Sequence, residues 1–182
     1  MPHATTDRLP GDDVLPHADP VMDRRLVLPA PPATVWPWLE QLGRQRGGWY
    51  LPRRVERLLP RGRRALRHVE PRLLGLSVGD RIPDWGPGGP TFEVLEIEPP
   101  HHLVHWSERP RRSKPPMRMT WALVLDPTAD GHGTVLRLRL RLDLGHPAGP
   151  LATYGGGGLD ALTVGLLGRG LAERLRDAPL PR

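Results

Sequence analysis

Three closely spaced histidines, His101, His102 and His105, with Glu108 beyond them, are the side chains of this 182-residue sequence whose types and spacing first invite chemistry. A structural or catalytic metal needs several ligands converging on one point. The segment reads as a strand, on which His101 and His105 share a face. At about 3.3 Å rise per residue, four steps place them too far apart to grip one ion. No HExxH spacing on a helix offers an alternative, so no metal is expected. His105, if it points inward, is the best-placed titratable group. Neither a Ser-His-Asp arrangement, a phosphate-cradling glycine loop nor paired carboxylates can be picked out, so no catalytic residue and no nucleotide or other cofactor is assigned. The sequence has no cysteine. That removes disulfides, thiolate nucleophiles and thiolate zinc sites, and makes a reducing, cytoplasmic home the simplest expectation.

The second candidate is aromatic. Trp49 and Tyr50 follow Gly47-Gly48, which puts two large rings on a turn. Such a pair either rims a ligand cavity, each ring offering an apolar body and a polar tip, or plugs a gap in the core. Asp80, Arg81, Asp84 and Thr163 are the polar residues that could point inward beside them.

The elements that must position these residues are legible from periodicity. Residues 1–20, rich in Pro, Asp and His, read as an extended arm with a turn at Gly11-Asp12-Asp13. Residues 21–178 read as one domain. Arg24 to Leu28 is a short strand, and Pro31-Pro32 opens a helix whose apolar face is Val35, Trp38, Leu39 and Leu42, with Gly43 as its stop. Val55, Leu58 and Leu59 predict a second short helix closed by Pro60. Arg61 to Pro71 is a basic connection, and short runs bounded by Gly, Pro and Asp then predict strands near 80–83, 91–98, 101–107, 117–126 and 133–144.

The last two of these set the parity of the sheet. Leu136, Leu138, Leu140, Leu142 and Leu144 alternate with Arg137, Arg139, Arg141 and Asp143, while Met117, Met119, Trp121, Leu123 and Leu125 oppose Arg118 and Thr120. Trp121 is therefore expected on the inner side. A regular hairpin would bring Arg118 to Arg141 and Thr120 to Arg139, leaving an exposed arginine stripe on the outer face. From Leu159 to Leu175 apolar residues return to helical spacing, with Asp160 in the first turn and Arg174 and Arg176 in the last, which predicts an amphipathic helix of about five turns. Gly165, Gly168 and Gly170 thin one side of it, and at least one is expected to border a cavity. The order strand, helices, antiparallel strands, long helix is α+β, with the final helix covering the apolar face of the sheet. The gap between the two is where a small molecule would sit.

Composition bears on partners. The formal charge is +6, yet Lys114 is the only lysine among 26 basic residues, and with 24 Pro and 21 Gly the skew fits a high-GC coding bias. Aromatics make up 5% and are not interleaved with the basic residues, so nucleic acid is not the expected partner. No apolar run is long enough to span a bilayer, so the chain is expected to be soluble. Nothing in the sequence sets an oligomeric state.

Leu9-Pro10-Gly11-Asp12-Asp13, Ala30 to Leu39 with its Val-Trp-Pro-Trp-Leu block, Gln41-Leu42-Gly43, Arg46-Gly47-Gly48-Trp49-Tyr50, Val78 to Pro83, Phe92-Glu93-Val94 and Glu98-Pro99 resemble bacterial members of the START-like, polyketide-cyclase-like superfamily. The likeness covers nearly the whole chain from Leu9. It implies a helix-grip fold, a curved antiparallel sheet around a long C-terminal helix, with a deep cavity between them. It further implies binding of a small hydrophobic, lipid- or polyketide-like ligand, as carrier or sensor, or alternatively a cyclase or dehydratase working in the same cavity. The sequence departs from its look-alikes after Tyr50, where Leu51-Pro52-Arg53-Arg54 stands in place of a Tyr-Asp pair, and in the glycine content of the last helix. The residues expected to line the cavity are Trp49, Tyr50, Phe92, His105, Trp121, Leu138, Thr163 and Leu167.

Overall fold

Six strands and one long helix carry the fold. A computed structural model describes residues 8–84, 89–112, 114–145 and 150–177; the start of the expected arm, residues 1–7, and position 178 lie outside the described residues. In chain order the elements are β1 (Val21–Leu28), α1 (Pro32–Glu40), α2 (Arg53–Glu56), β2 (Arg81–Pro83), β3 (Thr91–Glu98), β4 (His102–Arg111), β5 (Lys114–Pro127), β6 (Thr134–Asp143) and α3 (Pro150–Asp177). The strands form an open antiparallel sheet in the order β1-β6-β5-β4-β3-β2, so the first strand stands at an edge, paired with the last. This is the α+β helix-grip architecture. A bulge between Val94 and Glu96 bends β3 where it pairs with β4.

The elements start and stop for local reasons. Pro31 and Pro32 open α1, their fixed φ and absent donors costing nothing at a helix start. Gly43, at φ +134, lies past its end. The second helix is shorter than periodicity predicts. It is the single turn Arg53–Glu56, and Leu58, expected on its apolar face, is 84% exposed. The final helix is longer than expected, at 28 residues or about eight turns. Val164, Leu167, Leu171 and Leu175 are its buried stripe, packed with Leu28, Leu136, Leu138 and Leu123 of the sheet and Trp38 and Leu39 of α1. Each such leucine contributes roughly 2 kcal/mol by leaving water.

Polar side chains tie the long 57–80 connection to this core. Glu40, at the end of α1, accepts the backbone N–H groups of Gly75 and Leu76, while the side chain of Gln41 donates to His68 O and accepts from Glu70 N. Arg174 of α3 is fully buried. It donates to the carbonyls of Leu51, Ala65, Leu66 and Gly170, pairs with Glu56, and lies 4.7 Å over the Tyr50 ring. Glu56 in turn holds Arg67 at 2.9 Å.

The outer face corrects the expected arginine stripe. β5 and β6 pair with Arg118 opposite Asp143, Thr120 opposite Arg141 and Ala122 opposite Arg139, two residues away from the simple hairpin register. The shift arises at the turn. Thr128 N–H donates to Gly133 O and Thr128 Oγ1 accepts from Gly133 N, which extends the ladder to Pro127 and Thr134. A shift of two preserves the facing of every side chain, so Trp121 stays inward and Arg118 outward. Arg139 is only 5% exposed. From Arg8 to Ala18 the chain runs in turns across this face, burying Leu9 and Leu15. Gly11 passes so close to β4 that a Cβ there would lie 2.6 Å from Val104 Cγ1. Asp12 on this segment binds Arg139 and Arg141, Asp23 of β1 binds Arg139 from the other side, and Arg141 also donates to Leu15 O and Pro16 O.

Candidate functional site

The inner face changes character from one side of the sheet to the other. Beneath α3 it is leucine. Along β4 the inward residues are Leu103, His105, Ser107 and Arg109, so an apolar row turns polar toward the end of the strand. Phe92 of β3 and Trp121 of β5 flank His105, and the Gly47-Gly48 turn swings Trp49 onto them. Trp49 stacks on Trp121 at 5.9 Å, Trp121 stacks on His105 at 5.8 Å, and Phe92 meets His105 edge-on at 5.8 Å. Four of the expected residues, Trp49, Phe92, His105 and Trp121, thus form one cluster. The three large rings are half-buried and His105 is buried.

Burial sets the electrostatics of this cluster. The imidazole is pushed down to about 4, first by loss of water and then by the nearby charge of Arg46, with a hydrogen bond to the Trp121 backbone opposing the shift. It is neutral at physiological pH. Its Nδ1 is buried without a hydrogen-bond partner among the described residues. A base this weak abstracts protons poorly at neutral pH, but a neutral ring with an unspent nitrogen offers a ligand one directional hydrogen bond. At the polar end, Arg109 pairs with Asp84, lies 5.6 Å over the Phe92 ring and reaches Ser107 Oγ at 3.5 Å.

The other expected residues lie elsewhere. Tyr50 is fully buried, donates its hydroxyl to Trp38 O at 2.8 Å and meets the Trp38 ring edge-on; burial raises its pKa. Of the two roles open to the Trp49-Tyr50 pair, Tyr50 plugs the core while Trp49 stands at the edge of the cluster. Leu138 and Leu167 are core residues. Thr163 is half-buried, and its hydroxyl donates to Leu159 O and Asp160 O of its own helix. Asp80 accepts from Ser77 N, and Arg81 is exposed beside Glu93. His102 points outward between Glu96 and Glu98, and no group of three or more His, Asp or Glu placed to hold a metal occurs among the described residues.

Ser107 and Arg109 were missed by sequence reasoning, although a signal existed. They share the parity of His105, but the expected strand 101–107 stops at Ser107 whereas β4 runs on to Arg111. The helix glycines divide in two. A Cβ on Gly170 would sit 2.5 Å from the Leu51 carbonyl carbon, and one on Gly168 2.9 Å from Leu26, so both serve close packing. Gly165 borders an outer groove of about 680 Å³ beside Leu26, Val27, Val55 and Leu166. No helix among the described residues is long and apolar enough to cross a membrane.

No family model matches the chain, and no curated protein matches it by sequence. Solved structures do. A protein from Mesorhizobium loti is similar at 20% identity, covering 88% of this chain and 99% of that one, with a TM-score of 0.54. One from Nitrosospira multiformis, at 12% identity, covers 86% and 99% with a TM-score of 0.52. A conserved protein from Geobacillus kaustophilus, at 14% identity, covers 86% and 95% with a TM-score of 0.51. At these identities the likeness establishes the fold.

Proposed function

We propose that the chain is a START-like protein that binds a small hydrophobic molecule on the inner face of the sheet, at Trp49, Phe92, His105 and Trp121, as a carrier or sensor. The observation that carries this reading is the buried imidazole, its pKa pushed down to about 4 and its Nδ1 unspent, set among three half-buried aromatic rings. Rings supply flat apolar area at low entropic cost, and one polar atom among them fixes a ligand's orientation. Such a site selects molecules without having to transform them.

A second reading, a cyclase or dehydratase, is favoured by one observation: Ser107, Arg109 and Asp84 give the inner face the polar groups that such chemistry needs. The two are separated by incubating purified protein with a cell extract and identifying by mass spectrometry what stays bound and what is consumed. An unaltered ligand lost in Trp121→Ala supports carriage. A consumed polyketide, with turnover lost in Arg109→Gln, supports catalysis.

A further inference from the structure

Beside the aromatic cluster, on the far side of Trp49, lies a pocket of about 710 Å³ that the proposed function leaves unused. Its walls include Arg44, Arg46, Arg63 and Arg64, with Trp49 and Leu59, and no carboxylate lines it. Many of the other arginines are neutralised: Arg24, Arg53, Arg67, Arg109, Arg118, Arg137, Arg139, Arg141 and Arg174 each pair with Asp or Glu. The four in this pocket make no ion pair within 4 Å among the described residues, although Glu40 and Asp80 lie near enough to act on the charge of Arg46. Arg44 donates to Asp84 O, Arg46 to Glu40 O and Leu73 O, and Arg64 to Leu59 O and Arg57 O, all backbone carbonyls that leave the cationic charge in place.

Two further observations point to a ligand. Arg46 Nε is buried and has no hydrogen-bond partner among the described residues, and burial lowers the pKa of this cation against the opposing pull of Glu40 and Asp80. Gln45, between Arg44 and Arg46, has a φ of +61 and is the only described non-glycine residue in the left-handed region. Strain of that kind persists where the surrounding structure enforces it, often around a ligand. The pocket also adjoins the aromatic cluster, since Trp49 lines the one and stacks on Trp121 in the other.

We infer that this pocket binds the oxyanion, carboxylate or phosphate, of an amphiphilic ligand whose apolar body rests on Trp49 and the rings behind it. The inference rests on the reading of the cluster as a ligand site and names the class of ligand it takes: a flat or chain-like apolar molecule with one anionic end. Guanidinium groups suit such an end because they offer paired donors to planar or tetrahedral oxyanions.

Equilibrium dialysis of the whole chain against 2-naphthoate, its neutral isostere 2-naphthamide, and inorganic phosphate tests this. In low salt 2-naphthoate is expected to bind at least about tenfold more tightly than 2-naphthamide, a preference that shrinks as salt screens the arginines. Arg63→Gln/Arg64→Gln, on exposed side chains, and Arg44→Gln should each abolish most of that preference while leaving 2-naphthamide binding unchanged, which also shows that the variants are folded. Equal binding of acid and amide, both lost in Trp121→Ala, would overturn the anionic end and leave the apolar site standing. Inorganic phosphate binding as tightly as 2-naphthoate would overturn the amphiphile in favour of a bare anion site. Binding of none of the three would overturn both readings.

Discussion

Asp12 and Arg139 stand 127 positions apart in the chain and meet on the outer face of the sheet, Oδ2 to Nη1, at 2.6 Å. Both side chains are largely withdrawn from water, at 13% and 6% exposure. The pair therefore acts where screening is weak, and it fastens the N-terminal segment to β6. Asp12→Asn removes one carboxylate from Arg139 while Asp23 stays in place. A loss of about 2 kcal/mol of unfolding free energy is expected in urea denaturation. A loss below about 0.5 kcal/mol would show that the segment contributes no more than an ordinary surface pair does.

Arg174 and Glu56 form the corresponding pair inside the molecule. Arg174→Met takes one of the two arginines from Glu56, leaving it Arg67, and strips several carbonyls of their donor, with an expected cost of roughly 3–5 kcal/mol. Because the two charges are coupled, Arg174→Met/Glu56→Leu should cost clearly less than the sum of the single changes in a double-mutant cycle. Additive losses would mean that the carbonyl bonds, rather than the ion pair, hold Arg174.

His105 makes stability depend on pH in a defined window. Its native value, near 4, lies below the ordinary 6.5, so between them the unfolded chain takes up a proton that the native state refuses. The contribution is complete above the ordinary value and is lost as pH falls through the native one, roughly 3 kcal/mol in all. Between pH 7 and pH 4 the wild type should therefore lose more stability than His105→Phe by about that amount. Parallel pH profiles for the two would show that the imidazole is not held neutral.

The helix glycines give opposite outcomes. A Cβ on Gly165 meets nothing within 4 Å, so Gly165→Ala should raise stability by up to about 1 kcal/mol through helix propensity. A Cβ on Gly170 meets backbone at 2.5 Å, so Gly170→Ala should lower it by about 1–3 kcal/mol. Thermal midpoints that move in the same direction would contradict the packing described.

Much of the fold was legible because it rests on period. The alternation from Leu136 to Leu142 and the helical return of Val164, Leu167, Leu171 and Leu175 identify the sheet, its inner face and the covering helix. What stayed hidden depends on pairings that no local pattern encodes. Arg174 looks like a favourable charge in a last helical turn, yet it is buried, because its partners come from positions 51 to 66. The arginines on β6 look like a solvated stripe until the N-terminal segment lies across them. The site was half legible: Trp49, Phe92, His105 and Trp121 carry their own aromatic signal, whereas Ser107 and Arg109 depend on where β4 ends.

The pairing of the first strand with the last also fixes an order of assembly. Val21 has its partner in Arg141 and Leu28 in Thr134, so β1 has no neighbour until β6 exists. During synthesis the ribosome must release nearly the whole sheet before the earliest strand can join it, and non-local pairing of this kind makes folding slow. Until then Leu26 and Leu28 are exposed to any passing strand edge, which makes the nascent chain, more than the finished one, the state prone to aggregation.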